Sequence, residues 1–158
     1  MNYEEWLAQV PAEFTGDALW RMQVYRKALF LADLAWHDAC KLAQDKRTLG
    51  VSDQLFDAVG SVHANISEGY SRQSGKDQAR FYEYALGSAR ESRGWYYQGR
   101  HVLGETVALH RIKLLTDIAR QLNTIIPSER GYKMREDPPV YITDPPADDS
   151  LLTHIPMP

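Results

Sequence analysis

Apolar residues recur at alternating steps of four and three through four consecutive segments of the 158-residue chain. These segments span about residues 17–44, 52–68, 74–103 and 106–126. Such a repeat places an apolar stripe along each of four helices, and each stripe must be buried against a neighbour. The connections between the segments are short, which favours antiparallel neighbours. The sequence therefore predicts an all-α fold, an antiparallel up-and-down four-helix bundle.

The first segment carries a second apolar row beside the main one. A helix with two apolar faces needs two sets of neighbours, because one bundle core covers only one of them. We therefore expect the bundle to pack against copies of itself or against a partner. The main row contains Ala18, Met22, Tyr25, Leu29, Ala32, Trp36, Ala39 and Ala43, and the second row contains Val24, Ala28, Leu31, Ala35 and Leu42.

Capping residues predict where the helices begin and end. Ser52 can serve as the N-cap of the second helix, and Gly69 follows that helix where a left-handed residue is favoured. Ser74, with Asp77 three residues later, resembles a shortened capping box for the third helix. Pro127 marks the expected end of the fourth helix, because proline has no N–H to donate.

Two glycines interrupt the interior of the third segment. Gly87 and Gly94 lie seven residues apart and therefore on one helix face. Each costs about 1 kcal/mol relative to alanine in a helix, which predicts that another helix crosses closely there. Gly104 marks the expected end of this helix.

The regions on either side of the bundle, which occupies residues 17–126, differ from it in composition. Residues 1–16 hold the apolar side chains of Trp6, Leu7 and Val10, which predict a short N-terminal docking helix.

The C-terminal region, residues 127–158, is rich in proline and acidic residues and is expected to form an extended or flexible tail. Alternatively, Val140, Tyr141 and Ile142, or the pair of leucines at positions 151–152, could anchor it on a neighbouring surface.

Charge is distributed unevenly along the chain, whose formal net charge is -3. Residues 17–126 carry fifteen Lys or Arg against twelve Asp or Glu, whereas both ends are acidic. This mildly basic body lacks the strong excess that is typical of a dedicated nucleic-acid-binding domain.

The N-terminal region has two early glutamates and no basic stretch followed by an apolar run, so no signal peptide is expected. No stretch approaches the roughly 18 uninterrupted apolar residues of a membrane span. The single cysteine, Cys40, is interpreted as a small buried side chain in a reducing compartment. We expect a cytoplasmic protein that does not associate with membranes.

Patterns that predict catalysis are weak throughout the chain. There is no glycine-rich phosphate loop, nucleophile elbow or His-Glu-x-x-His helix. Asp33 with His37, and His101 with Glu105, have the four-residue spacing of two ligands on one helix face, but surface hydrogen-bonded pairs are the better interpretation. Metal sites of bundles usually use Glu-x-x-His pairs, which this sequence lacks. We expect no enzymatic activity, no metal, no cofactor and no small-molecule substrate.

Basic and aromatic residues alternate along the third segment and the loop before it. Such a surface can hold a nucleic-acid backbone and stack bases, although the same charges can equally solvate an outer helix face. The candidate basic surface for nucleic acid or a partner consists of Arg72, Lys76, Arg80, Arg90, Arg93 and Arg100, and the interleaved rings are Tyr82, Trp95, Tyr96 and Tyr97.

Two motifs within residues 54–91 resemble a known family. The family is that of the small four-helix-bundle proteins encoded in ribosomal RNA intervening sequences, with the related accessory variability determinants of diversity-generating retroelements. The motifs consist here of Asn65, Ile66, Glu68, Gly69 and Arg72, followed by Ala85, Gly87, Ser88 and Glu91.

The resemblance covers residues 17–126 and implies an accessory protein without established enzymatic activity. Members associate into rings, typically pentamers, and the retroelement members bind a reverse transcriptase and its RNA through basic surfaces. The resemblance therefore implies a homo-oligomer with RNA or a reverse transcriptase as possible partners. The expected fold and assembly residues are Asn65, Glu68, Gly69, Gly87, Ser88 and Glu91.

The first motif also makes physical sense as a helix end. Asn65 can bond the backbone near the turn, and Gly69 relieves left-handed strain. A partly buried Glu68 would need a partner such as Arg72 or Arg80.

The chain departs from the family pattern in two places, and the loss of a basic pair at the first weakens the implied RNA binding. Members commonly carry a basic pair where this chain has Phe56 and Asp57, and a proline where it has His63.

Overall fold

Four long helices dominate the computed structural model, which describes residues 2–131 and 150–158. They confirm the predicted all-α bundle and the short N-terminal helix. The elements are α1 (Tyr3–Leu7), α2 (Ala12–Thr15), a 3₁₀ helix (Ala18–Arg21), α3 (Gln23–Leu42), α4 (Leu49–Tyr70), α5 (Gly75–Leu103), α6 (Glu105–Glu129) and α7 (Ser150–Thr153).

The four long helices, α3 to α6, pack in chain order. Each contacts the next, and α3 also contacts α6, which closes the bundle. Branched and aromatic side chains fill the centre. The largest fully buried apolar side chains are Phe30, Leu31, Leu34, Leu42, Leu55, Ile66, Tyr96, Leu114, Leu115, Ile118 and Leu122.

The start of α3 lies later than predicted. Asp17 accepts a hydrogen bond from the backbone N–H of Leu19 at 2.8 Å, and it thereby caps the short 3₁₀ helix. The chain is extended at Met22, and α3 begins at Gln23. A local side-chain cap thus separates the first turn from the long helix.

The ends of α4 and α6 also differ from the prediction. Ser52 is not an N-cap, since α4 begins at Leu49 and the Ser52 hydroxyl donates to the Ala39 carbonyl oxygen at 2.8 Å. Pro127 lies inside α6, which ends at Glu129. A proline this close to the C-terminal end removes little of the helical hydrogen bonding, so the helix continues past it.

The interior glycines of α5 do not mark a helix crossing. A methyl group at Gly87 or Gly94 would meet no atom within 4 Å, so that prediction was wrong. The close approach occurs instead at Gly99, where a Cβ would lie 3.0 Å from the Leu42 side chain of α3. Periodicity placed the glycines on one face but could not show that this face points outward.

Two short helices outside the bundle lie against it. α1 buries Tyr3 and Trp6, whose rings lie 5.1 and 5.2 Å from that of Phe30. α7 contacts both α1 and α6. The described part of the tail is therefore anchored on the bundle, whereas Val140 to Ile142 lie outside the described residues. No helix in the described ranges combines the length and apolar character of a membrane span.

A charged pair lies at the centre of the bundle. Arg111 of α6 donates to Asp38 of α3 through Nε at 2.8 Å and through Nη2 at 3.2 Å. Both side chains are 0% exposed. Tyr96 of α5 donates its hydroxyl to the same carboxylate at 2.9 Å, and burial, followed by the nearby Asp38 charge, raises the pKa of that phenol. One carboxylate thus joins three helices.

A second charged pair joins α3 to α6 farther along the bundle. Lys27 Nζ lies 2.6 Å from Asp117 Oδ2, and Gln121 donates to the same oxygen at 3.0 Å. Lys27 precedes Asp38 on α3, whereas Asp117 follows Arg111 on α6. The crossed order of the two pairs agrees with antiparallel packing of these helices.

The sequence analysis missed both pairs, although the sequence contains a sign of the first. Asp38 lies four residues from Leu34 and from Leu42, so it occupies the same helix face as two apolar residues. Arg111 lies in the same relation to Val107 and Leu115. Opposite charges on two apolar faces that must meet could have predicted the contact.

We predict that Asp38 and Arg111 are energetically coupled. Asp38→Asn or Arg111→Met should each cost about 3–5 kcal/mol, because each leaves a buried group without its partner. The double variant should lose about 2 kcal/mol less free energy of unfolding than the sum of the two single losses. Urea unfolding of the four proteins measures this coupling. Additive losses would show that the pair contributes no specific interaction.

We also predict that alanine has opposite effects on stability at two glycines where a Cβ would meet no other atom within 4 Å. Gly104 joins α5 to α6 with φ +90°, so Gly104→Ala should destabilise the protein by about 1–3 kcal/mol through backbone strain alone. The control Gly87→Ala, at an exposed helical position, should stabilise it by about 0.5–1 kcal/mol. Thermal unfolding distinguishes the two. A stable Gly104→Ala variant would contradict the strain argument.

Candidate interaction surfaces

Gly69 lies inside α4 and has no left-handed conformation, so the predicted reason for this glycine was wrong. A Cβ at this position would lie 2.8 Å from the Tyr82 ring of α5. Burial, followed by the charge of Glu129, raises the pKa of Tyr82 to about 12. Gly69 is therefore needed for close packing between α4 and α5, which is a structural role.

Of the other residues of the first motif, Ile66 is buried in the core. Asn65 and Glu68 lie nearer the surface of α4, and Arg72 follows the end of that helix. Asn65 donates to the Ser61 carbonyl oxygen one turn earlier, at 2.8 Å, and does not bond the turn. Glu68 forms the expected ion pair with Arg72, but its side chain is 52% exposed and not partly buried as predicted. An exposed pair of this kind contributes little to stability. Both side chains remain accessible to a partner.

The second motif lies on α5 and is partly engaged in local contacts. The Ser88 carbonyl oxygen accepts a hydrogen bond from the Ser92 hydroxyl at 2.8 Å. Glu91 accepts one from the Trp95 indole at 3.2 Å. Gly87 is exposed. These groups line one stretch of the helix surface, and their role in assembly stays a prediction.

The residues of the predicted basic surface are largely occupied within the chain. Arg72 lies 4.6 Å above the Phe81 ring, and Arg80 contacts that ring and pairs with Asp77 at 3.4 Å. Arg80 and Asp77 are both about half exposed, so this pair is open to exchange with another anion.

At the other end of α5, Arg100 pairs with Glu105 at 3.3 Å and lies 4.0 Å from the Tyr97 ring centre. Arg93 donates to the Thr116 hydroxyl at 3.3 Å. Lys76 and Arg90 are exposed. The six basic side chains therefore do not form one uninterrupted basic patch.

Two of the four rings predicted to interleave with these charges lie in the core. Tyr82 and Tyr96 are 2% and 0% exposed, so neither can stack a base. Trp95 is partly buried and Tyr97 is 60% exposed. The structure thus reduces the aromatic part of the candidate nucleic-acid surface to these two side chains.

The two apolar rows of α3 face different directions. The row predicted as the second one, which includes Val24, Leu31 and Leu42, is buried. In the row predicted as the main seam, Leu29 is partly buried and Trp36 is 59% exposed. The second row therefore faces the core, whereas the main row is buried only in part, at Tyr25 and Ala39.

This outward face forms the floor of an apolar groove between the N-terminal region and α4. The Trp36 and Phe56 rings meet edge to face, with centroids 6.0 Å apart. Phe56 and Phe14 are 42% and 45% exposed. The groove is lined by Trp6, Gln9, Val10, Pro11, Phe14, Leu29, Ala32, Asp33, Trp36 and Phe56.

The wall of the groove is fixed by one polar contact. The Trp6 indole N–H donates to Asp33 Oδ2 at 2.9 Å. The Trp6 ring also contacts that of Trp20, with centroids 6.1 Å apart and planes tilted by 30°. Asp33 accepts this hydrogen bond from Trp6, whereas the sequence predicted a surface hydrogen-bonded pair of Asp33 with His37. A groove with this lining suits an apolar or aromatic protein surface.

A shallow polar cleft lies beside the C-terminal half of α4. Tyr25, His63, Ser67, Glu68 and Arg72 line it. Burial lowers the pKa of His63, which favours the neutral imidazole. The neighbouring groups could accept and donate hydrogen bonds to a partner.

Within residues 2–131 and 150–158, no group of three or more His, Cys, Asp or Glu side chains is placed to hold a metal ion. Cys40 is exposed on α3, contrary to the expected buried position. It lies one residue beyond the buried Ala39, where the helix surface turns toward solvent.

Comparisons with known proteins agree with this fold. A crystal structure of a protein with unknown function from the S23 ribosomal protein family of Bacteroides thetaiotaomicron VPI-5482 matches with a TM-score of 0.61. The match covers 65% of this chain and 97% of that chain at 24% identity, so it shows the fold alone. No curated protein matches the chain.

A family comparison confirms part of the resemblance seen in the motifs. The model described as 23S rRNA-intervening sequence protein matches residues 21–124, which is more than half of the chain. The link to diversity-generating retroelements stays a prediction. Neither description names a catalytic activity, so the expected lack of one stays a prediction too. By this match, the chain belongs to the family of 23S rRNA-intervening sequence proteins.

Proposed function

We propose that this protein is a non-enzymatic cytoplasmic accessory protein that assembles with its own copies into a closed, pentamer-like ring. The ring would act as an adaptor for RNA or for an RNA-handling enzyme of the reverse-transcriptase type. The outward apolar groove on α3 carries the proposal, because Trp36 is 59% exposed and lies beside the exposed Phe56 and Phe14. Large clustered aromatic side chains at a protein surface are typical of interaction sites.

A ring requires two different surfaces that fit each other, because each copy must contact a neighbour on either side. The groove supplies one apolar surface. The opposite pair of helices supplies further exposed apolar side chains, namely Tyr84 and Tyr97 on α5 and Leu109 on α6. A second copy that presents these helices is the occupant we expect in the groove.

The RNA-binding part of the proposal is supported by the family match and by the cations of α5. Lys76 and Arg90 are exposed, and the ion pair of Arg80 with Asp77 lies at the surface. Phosphate groups could compete for such cations at low salt.

A second candidate function is a protein-binding scaffold without a nucleic-acid role. It is favoured by the pairing of Arg72, Arg80 and Arg100 with acidic side chains and by the burial of Tyr82 and Tyr96. Both functions use the same groove, and they differ in what the assembled protein binds.

The assembly is tested with Trp36→Glu. A charge in the groove should prevent association, because it would be buried without a partner at the interface. Light scattering should give a mass several times the 18.1 kDa of one chain for the natural protein and 18.1 kDa for the variant. The fold should survive, since Trp36 is 59% exposed.

Leu49→Glu is the matched control for this experiment. Leu49 is 53% exposed but does not line the groove. This variant should keep the mass of the natural protein. A monomeric natural protein would refute the ring, and equal dissociation by both variants would show that the groove is not the interface.

RNA binding is tested by fluorescence anisotropy with a labelled single-stranded RNA over a range of salt concentrations. Binding should weaken as the salt concentration increases. Lys76→Ala should reduce the magnitude of the slope of log binding constant against log salt concentration by about 1, because one phosphate contact is lost. The control is Lys46→Ala, in the loop before α4 and outside the predicted surface. Its slope should match that of the natural protein.

The two candidate functions predict different results here. If the protein binds no RNA at low salt, either alone or together with the product of the adjacent gene, the adaptor function is refuted. The scaffold function is then the one that agrees with the data. A protein partner recovered without nucleic acid would give the same answer.

A further inference from the structure

The described C-terminal segment, residues 150–158, contacts the bundle through apolar side chains and backbone. Leu152 and Ile155 pack against the core. The segment contains no Lys, Arg, Asp or Glu, and His154 is the one titratable side chain among residues 150–158. It begins with α7, which contacts α1 and α6.

Two neighbouring residues of α6 bind the backbone of this segment. His110 Nε2 lies 2.7 Å from the Leu151 carbonyl oxygen, and Arg111 Nη2 donates to the Pro156 carbonyl oxygen at 3.0 Å. His110 and Arg111 are 7% and 0% exposed. The two carbonyl groups are five residues apart, so the contacts hold both ends of the segment.

Both donors are oriented by groups of the bundle itself. Asp38 binds Nε and Nη2 of Arg111, which leaves the second N–H of Nη2 for a carbonyl oxygen. Arg111 Nη1 lies 2.9 Å from His110 Nδ1, and a guanidinium can only donate, so Nδ1 accepts and Nε2 carries the proton. Burial lowers the pKa of His110, which favours this neutral tautomer. Donors held in place before a ligand arrives are typical of a binding site.

The segment also supports α1. A helix of five residues is unstable by itself and depends on tertiary contacts. Tyr3 and Trp6 attach one side of α1 to Phe30, and α7 supplies a further contact. Trp6 of α1 also lines the apolar groove. The C-terminal segment therefore contacts the helix that supplies part of the groove wall.

We propose that the cleft beside His110 and Arg111 is a peptide-binding site whose ligand is the chain's own segment Ser150–Pro158. The ligand class is a peptide without Lys, Arg, Asp or Glu that supplies two backbone carbonyl groups and the apolar side chains of Leu152 and Ile155. Occupancy of the site holds α1 against the bundle. The site therefore couples the C-terminal segment to the N-terminal helix.

Hydrogen exchange of the full chain, followed by mass spectrometry, tests this proposal. The variant Leu152→Ala/Ile155→Ala should accelerate exchange in residues 150–158 and in α1 by about tenfold or more, because the segment leaves its site. The amides of α3 to α6 should keep their protection. Met157→Ala is the matched control, since Met157 is 49% exposed, and it should change neither region.

A synthetic peptide with the sequence of residues 150–158 then tests the site itself. Added in excess to the double variant, the peptide should restore slow exchange in α1, whereas the same peptide with both alanine substitutions should not. Unprotected amides at 150–158 in the natural protein, or a failure of the peptide to restore protection, would overturn the binding site. A loosened segment with unchanged α1 would overturn the coupling.

Discussion

The contact between Asp38 and Arg111 is the constraint on which the arrangement of the bundle depends. Short loops hold α3 to α4, α4 to α5 and α5 to α6, but no loop joins α3 to α6. Charged groups at 0% exposure can be buried only if their partners meet them. The pair therefore admits one alignment of α3 against α6, and Lys27 with Asp117 repeats the requirement farther along the same interface. We infer that these pairs specify the register of the bundle more than they add to its stability.

The same arginine links the core to the C-terminal segment. Its bonds to Asp38 hold the guanidinium in place, and its remaining donors reach His110 and the Pro156 carbonyl oxygen. A change at Asp38 would therefore disturb the segment as well as the core. This dependence explains why the site for the segment lies beside buried charges, where donor geometry is fixed, and not on the open surface of α6.

The sequence predicted the existence and order of the helices because the apolar periodicity extends over several turns in each. It could not decide which row of α3 faces the core, since Leu31 and Leu29 belong to equally regular apolar rows. The predictions for Gly69, Gly87 and Gly94 failed for a related reason, because the close contacts at glycines depend on other helices. Gly69 is required by Tyr82 and Gly99 by Leu42, whereas Gly104 ends α5 as predicted. The sequence could not show the contacts of the motif residues either, because those contacts depend on the packing of neighbouring helices.

One part of the groove lies within the residues that match the family, and the other part lies outside them. Its floor, which includes Leu29, Trp36 and Phe56, lies within the family match to residues 21–124, whereas Trp6 and Phe14 of its wall lie outside that range. The segment that contacts α1 also lies outside it. The four long helices therefore supply an apolar face that this fold can present on its own, and the N-terminal region narrows that face into a groove. We infer that the N-terminal region contributes to what fits against the face, because its side chains form one wall of the groove.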